Sequence, residues 1–255
     1  MTPEQLQHAP YILVAPNGAR RGISDHHNLP VTTEQIVAAA QACFDAGAQG
    51  IHLHVRDENG QHSLDAGRYI ETIAELHRVV PEMDVQITTE AADMYDVSAQ
   101  LECLERVCPK WVSIAVREIA RSPELVDKVY GVCAEQGTQV QHILYDADDA
   151  AVLGRWQEQG LIRSGQTDRL LVLGRYVEGQ QSNPKELDLF PTAQSRWMAC
   201  AFGRQEHECL LAAARRGGDV RVGFENSMTD RDDMPWKDNG SSVKALVAAL
   251  KENVS

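Results

Sequence analysis

The chain has 255 residues, 43% of them hydrophobic and 24% charged, a composition able to bury a core. Lys and Arg number 24 against 37 Asp and Glu, and the formal net charge of −13 excludes a surface built to neutralise nucleic-acid phosphates. No apolar run approaches the roughly 18–20 residues of a bilayer span, and Met1-Thr2-Pro3-Glu4-Gln5 lacks the basic-then-apolar order of a signal peptide.

Short β-rich runs alternate with amphipathic stretches. Tyr11–Pro16 reads as a strand. Thr32–Asp45 reads as a helix, with Thr32 or Thr33 as N-cap and Gly47 as its stop. Gly50–Arg56 is a second strand, and Leu64–Val80 a helix ended by Pro81. Asp84–Thr89 and Trp111–Val116 are strands three and four, with a helix over Ser98–Val107 between them. A helix over Pro123–Gln136, capped by Ser122 and closed at Gly137, leads to strand five, Val140–Tyr145. A helix over Asp148–Gln159 leads to strand six, Arg169–Gly174. Arg196–Phe202 is strand seven, Gln205–Arg216 a helix, Val220–Glu225 strand eight and Ser241–Glu252 a closing helix. Repeated strand–helix units imply a parallel sheet. Eight in about 250 residues match one single-domain (β/α)8 TIM barrel over residues 1–255. A doubly wound open sheet is the alternative, but no glycine-rich phosphate fingerprint follows Tyr11–Pro16. The long polar loops Tyr176–Pro191 and Ser227–Gly240 follow barrel strands, where active sites are built.

Side chains alternate faces along a strand. Ile51, Leu53 and Val55 share one face of strand two, and His52, His54 and Arg56 the other. In a barrel the apolar face packs outward on the helices, so both histidines point inward. The same phase puts Gln86, Thr88 and Glu90 on the inner face of strand three, Ser113, Ala115 and Arg117 on that of strand four, and Arg221, Gly223 and Glu225 on that of strand eight. A purely structural barrel would fill these layers with Val, Ile and Leu. Two readings fit His52 and His54: hydrogen-bonded core histidines, or two ligands of zinc or a similar divalent ion. In the second reading Glu225 is the best third ligand, and a coordination position stays open for substrate. Arg20-Arg21 after Asn17-Gly18 could hold an anion at the barrel mouth or form an exposed turn. Asp25-His26-His27-Asn28 reads as a solvated loop ahead of a metal-binding pair, Arg117-Glu118 as an internal ion pair or a catalytic pair, and His142 as a core histidine ahead of a pocket liner. The six cysteines, Cys43, Cys103, Cys108, Cys133, Cys200 and Cys209, fall in apolar segments without a CxxC pair. They predict reduced, mostly buried thiols of a cytoplasmic protein.

At these residues a family becomes recognisable. Ala15–Arg20 (APNGAR), Asn28-Leu29-Pro30, Ala46-Gly47-Ala48 and Gly50–Asp57 (GIHLHVRD), with Arg221–Asn226 (RVGFEN) late in the chain, resemble the β-keto acid cleavage enzymes from about Tyr11 to Leu250. The resemblance implies a (β/α)8 barrel, a divalent metal that is normally zinc, and cleavage of a small β-keto acid with acetyl-CoA to acetoacetate and an acyl-CoA. It implies His52, His54 and Glu225 as metal ligands, Arg221 as organiser of the catalytic carboxylates, and Thr88 and Ser113 as substrate contacts. It also implies a homo-oligomer, commonly a tetramer. Two departures stand out. The family usually has aspartate, acting in proton transfer, where this chain has Asn226. Asparagine is no general base, which makes Glu90 and Glu118 the local candidates. The amino-substrate enzyme has an acidic residue where this chain has Arg20, which suits a substrate whose far end is anionic; Glu90 and Glu118 pull the opposite way if they reach the same space. The site expected is therefore Arg221, Asn226 and Glu90 for catalysis, with Arg20, Thr88, Ser113, Arg117 and Glu118 around the substrate. A metal-dependent hydrolase on the same fold and a non-catalytic ligand-binding relative are the competing readings. The first would act without CoA, and the second would hold metal without turnover.

Overall fold

The computed structural model describes residues 9–175, 179, 181–191 and 195–253. The barrel strands are β1 (Ile12–Val14), β2 (Gly50–Leu53), β5 (Asp84–Thr88), β6 (Trp111–Ala115), β7 (Gln139–Leu144), β8 (Asp168–Leu173), β9 (Trp197–Ala201) and β10 (Asp219–Val222). They form a closed parallel barrel in sequential order, with β1 pairing β10 to shut it. The helices are α1 (Thr33–Asp45), α2 (Ala66–Val79), α3 (Val97–Val107), α4 (Val116–Ile119), α5 (Val126–Glu135), α6 (Ala147–Glu158), α7 (Glu206–Arg215) and α8 (Asn239–Asn253). A short antiparallel pair, β3 (Val55–Arg56) with β4 (His62–Ser63), follows β2. This is the (β/α)8 architecture expected from the alternation of elements.

Local chemistry explains where the helices start. Thr32 and Gln35 form a reciprocal capping box at α1, and Asp65, Asp96 and Asp146 accept backbone N–H groups at α2, α3 and α6. Ser122 makes no capping bond; Pro123–Leu125 form a 3-10 turn, and α5 begins at Val126. The outward strand residues, among them Ile51, Leu53, Ile87, Val112, Val140 and Val220, merge with helix residues such as Leu76, Leu104 and Leu210 in one buried layer. Each such side chain contributes about 1.5–3 kcal/mol of burial. Leu13, Trp111, Leu170 and Met198 belong to a separate cluster in the barrel interior.

Three strand ends differ from expectation, and all three shape the site. The second strand stops at Leu53, and Val55–Arg56 leaves the barrel to pair with His62–Ser63. The turn that drives this has Gly60 at φ +77°, with the Asp57 carboxylate accepting N–H bonds from Asn59 at 2.9 Å and Gln61 at 2.8 Å. The fourth strand stops at Ala115, and Val116–Ile119 forms one helical turn. The eighth strand stops at Val222 because Gly223 takes φ +141°, where a Cβ would lie 2.4 Å from the Ala15 carbonyl oxygen. The loop expected over 176–191 lies partly outside the described residues, and Pro184–Leu189 in it forms a 3-10 helix. Among the described residues no helix is long and apolar enough to cross a membrane.

Candidate active site

His52 on β2 and His54 just beyond it point into the barrel and are buried. Their Nε2 atoms lie 3.1 Å apart, and Glu225 Oε2 sits 3.6 Å from the first and 3.5 Å from the second. Ligands about 2.0–2.1 Å from a tetrahedral ion would be separated by about 3.3 Å. The three atoms thus mark one face of such a coordination shell, and His52, His54 and Glu225 form a group able to hold a metal ion. Glu225 Oε2 and His54 Nδ1 are buried without a hydrogen-bond partner among the described residues. An orphaned carboxylate oxygen facing two imidazole nitrogens fits a cation and is costly without one. Burial and the Arg221 guanidinium push the His52 pKa well below its usual value, which keeps the ring neutral, as a ligand must be. Burial works to raise the Glu225 pKa, yet Arg221 and the two histidines hold it well below the usual carboxylate range.

Glu225 reaches this position from a turn, not from a strand. The N–H of Glu225 bonds to the Ala15 carbonyl at 3.1 Å, and those of Asn226 and Ser227 bond to the Gly223 carbonyl. Gly18, at φ +64°, makes room: a Cβ there would fall 2.6 Å from Glu225 Cγ. Under the histidines, His52 Nδ1 meets Gln86 Oε1 at 2.7 Å, and Gln86 Nε2 donates to Gln141 Oε1 at 3.1 Å. With its amide held this way, Gln86 accepts the Nδ1 proton and leaves the His52 Nε2 lone pair for a metal. Arg221, 3% exposed, extends Nη2 to Glu225 Oε1 at 3.2 Å and to Asn226 Oδ1 at 3.4 Å.

The cavity above the three ligands is lined by Arg20, Arg21, Thr88, Glu90, Arg175 and Arg221, with Asn17 and Tyr145 among others. Glu90 spans the gap between its parts: Oε2 is 4.0 Å from His54 Nε2, and Oε1 is 3.8 Å from Arg20 Nε. Arg20 also pairs with Asp93 at 2.8 Å. Arg56 grips the loop that carries Arg20 through the carbonyls of Asn17, Gly18 and Arg21. His62 is buried, bonds to the Glu90 carbonyl at 2.8 Å and packs on the His54 ring; burial and His54 push its pKa down to about 3.

The remaining expected residues lie outside that lining. Ser113 is fully buried in the barrel interior. Arg117, turned by the helical turn of α4, pairs with Asp146 and Asp149 and stacks over Tyr145 at 4.6 Å. Glu118 accepts from Ala91 N–H at 2.9 Å and Gln100 Nε2 at 2.7 Å, so it braces the turn after β5. Asn226 stands behind Arg221, fully buried. His142 is fully buried with Nε2 on the Gln166 carbonyl, and His26 packs on Phe224. Sequence reasoning did not single out Gln141, His62, Asn17 or Glu206. Asn17 bonds to the carbonyls of Pro30 and His54. Glu206 accepts the Gly223 N–H at 3.1 Å from the first turn of α7. A glutamate there reads as dipole complementation at a helix start.

A closed parallel barrel with a two-histidine, one-carboxylate cluster under a polar cavity at the strand C-termini defines an enzyme of the metal-assisted barrel class. The comparisons sharpen this. The family described as beta-keto acid cleavage enzyme matches residues 10–254, and the chain belongs to that family. It is 26% identical over 250 residues to the 3-keto-5-aminohexanoate cleavage enzyme of Fusobacterium nucleatum, covering 90% of this chain and 88% of the relative. It is 22% identical over 258 residues to the 3-oxoadipate:acetyl-CoA acetyltransferase of Cupriavidus necator, covering 94% of this chain and 88% of that one. Among solved structures, the binary complex of ObcA with oxaloacetate superposes with a TM-score of 0.64 at 14% identity, over 88% of this chain. This chain spans 64% of the ObcA chain, so that likeness speaks for the fold alone.

Proposed function

We propose that the chain cleaves a β-keto acid carrying a distal anionic group, with acetyl-CoA as co-substrate and zinc as the metal. The bond between the keto carbon and C2 breaks. The C2 fragment takes the acetyl group and leaves as acetoacetate, while the keto carbon takes the CoA sulfur and leaves as an acyl-CoA. The observation that carries this reading is the convergence of His52 Nε2, His54 Nε2 and Glu225 Oε2 beneath an arginine-lined cavity. A metal held by these three residues would supply Lewis acidity toward the keto oxygen and carboxylate of the substrate. Arg221, buried and fixed by Glu225 and Asn226, stabilises negative charge as the bond breaks. Thr88 offers a small polar contact, and Glu90, beside His54 and facing the cavity, is placed to take or return a proton.

Arg20 and Arg175 at the mouth supply cationic groups for a far carboxylate. The acetyltransferase relative is named for such a substrate, 3-oxoadipate. Arg117, Glu118 and Ser113 act behind the cavity wall in this reading. The chain works as one barrel domain, in a homo-oligomer, in the cytoplasm. The deciding experiment incubates purified protein with zinc, acetyl-CoA and a panel of β-keto acids ending in carboxylate, ammonium or methyl groups, and detects acetoacetate. Turnover is expected to be fastest with the carboxylate. Fully zinc-loaded protein that is silent across the panel would overturn the reading.

A further inference from the structure

The Asn226 amide has a buried carboxyl as its neighbour. Glu206 is 1% exposed, and its Oε2 has no hydrogen-bond partner among the described residues. Its other oxygen accepts the Gly223 N–H at 3.1 Å, at the bend where the chain leaves β10 for Glu225 and Asn226. Asn226 faces the same carboxyl, and Arg21 and Arg221 are the cations that act on it. Asn226 in turn bonds to Arg221 through both ends of its amide, Oδ1 to Nη2 at 3.4 Å and Nδ2 to the Arg221 carbonyl at 3.2 Å. A carboxyl and an amide therefore stand side by side behind Arg221, the carboxyl carried by the first turn of α7.

We propose that Glu206 is a positioning residue of the active site, forming with Asn226 one coupled carboxyl–amide pair that holds Arg221 and the Glu225 turn. The proposal rests on the reading that Arg221 serves the cleavage reaction. Two observations separate it from a purely structural role. First, the bond to Gly223 needs only an acceptor oxygen, which glutamine would supply equally well without the cost of burying a carboxyl. Second, burial pushes the Glu206 pKa well above the usual carboxylate range against the pull of Gly223, Asn226 and the two arginines, a desolvation cost that glutamine would not carry.

The test is a double-mutant cycle on the zinc-loaded full chain, with kcat, KM, zinc affinity and Tm measured for E206Q, N226D and the double variant. E206Q is expected to fold, to bind zinc and to raise Tm, while kcat falls on the order of 10- to 100-fold with KM nearly unchanged. N226D sets two carboxyls against each other and is expected to lower both Tm and kcat. The double variant, with acid and amide interchanged, is expected to recover Tm fully and kcat to within about tenfold of the parent. Unchanged kcat in E206Q, additive Tm effects, or a double variant no better than the worse single one overturns the pair. So does loss of fold or zinc in E206Q that N226D does not restore, since this marks Glu206 as an anchor only. A parent enzyme silent on every β-keto acid would defeat the proposed reaction, and the Tm cycle would still decide the pair.

Discussion

At the scale of single residues, the site depends on a few atoms held in position by others. Gln86 is one such holder, because its amide sets which nitrogen of His52 carries the proton. Replacing Gln86 by leucine is expected to weaken zinc binding about 10- to 100-fold. Competition with a calibrated chelator measures this, and an unchanged affinity would remove Gln86 from the account. Gly18 is a stricter case. Both its φ of +64° and the 2.6 Å approach to Glu225 Cγ oppose a side chain. Gly18→Ala should therefore displace Glu225 and cost more zinc affinity than the Gln86 change. Arg20, in contrast, lies at the mouth and is half exposed. Arg20→Ala is expected to raise KM for a dicarboxylic substrate about tenfold, with a smaller fall in kcat through the lost Glu90 contact, which steady-state kinetics resolves.

At the scale of elements, the ends of strands matter more than their middles. The turn after β5 carries Glu90 into the cavity and is braced from behind by Glu118, whose pKa burial raises to about 7 despite the Ala91 and Gln100 donors. A carboxyl raised in this way holds its proton more tightly in the folded chain. The stability it contributes is complete below the ordinary value near 4.5 and is lost as pH rises through 7. Glu118→Gln keeps an acceptor for both donors and does not titrate. It should gain on the parent by up to about 3 kcal/mol between those pH values, as denaturant melts at several pH values would show. Strand alternation was legible in the sequence because a barrel wall is apolar outside, and this phase brought His52, His54 and Glu225 to one point. Glu225 arrives there by a different route, since Gly223 breaks the strand and a turn completes the placement. The same reasoning put Arg117 on an inner strand face, whereas one helical turn swings it to Asp146 and Asp149. Glu206 left no signal, because an acidic residue in the first turn of a helix is ordinary until the fold buries it.

At the scale of the whole molecule, the net charge of −13 surrounds a cavity lined by Arg20, Arg21, Arg175 and Arg221. Added salt screens such a local field. KM for an anionic β-keto acid is thus expected to rise between low and physiological ionic strength, with kcat nearly constant; the opposite pattern would place the control of turnover elsewhere. Removal of a metal held by His52, His54 and Glu225 would act on the fold as well. An ion that binds only the native chain stabilises it by about 2.7 kcal/mol at one hundred times its dissociation constant. For a chain of this length that corresponds to roughly 5–10 °C in Tm. Calorimetry with and without chelator tests this, and equal melting temperatures would argue against a resident ion at His52, His54 and Glu225.

The loop over residues 17–21 joins two tasks on neighbouring positions. Gly18 must stay bare so that Glu225 can stand beside it, while Arg20, two residues on, reaches the mouth from a backbone clamped by Arg56. Because the clamp holds carbonyls and not side chains, position 20 can be exchanged without disturbing the ligand sphere. Under the proposed function, substrate preference is thereby a replaceable part on a fixed mount. Redesign toward a cationic or neutral β-keto acid can begin with one codon, with Glu90, 3.8 Å from Arg20, as the neighbour whose placement must be kept.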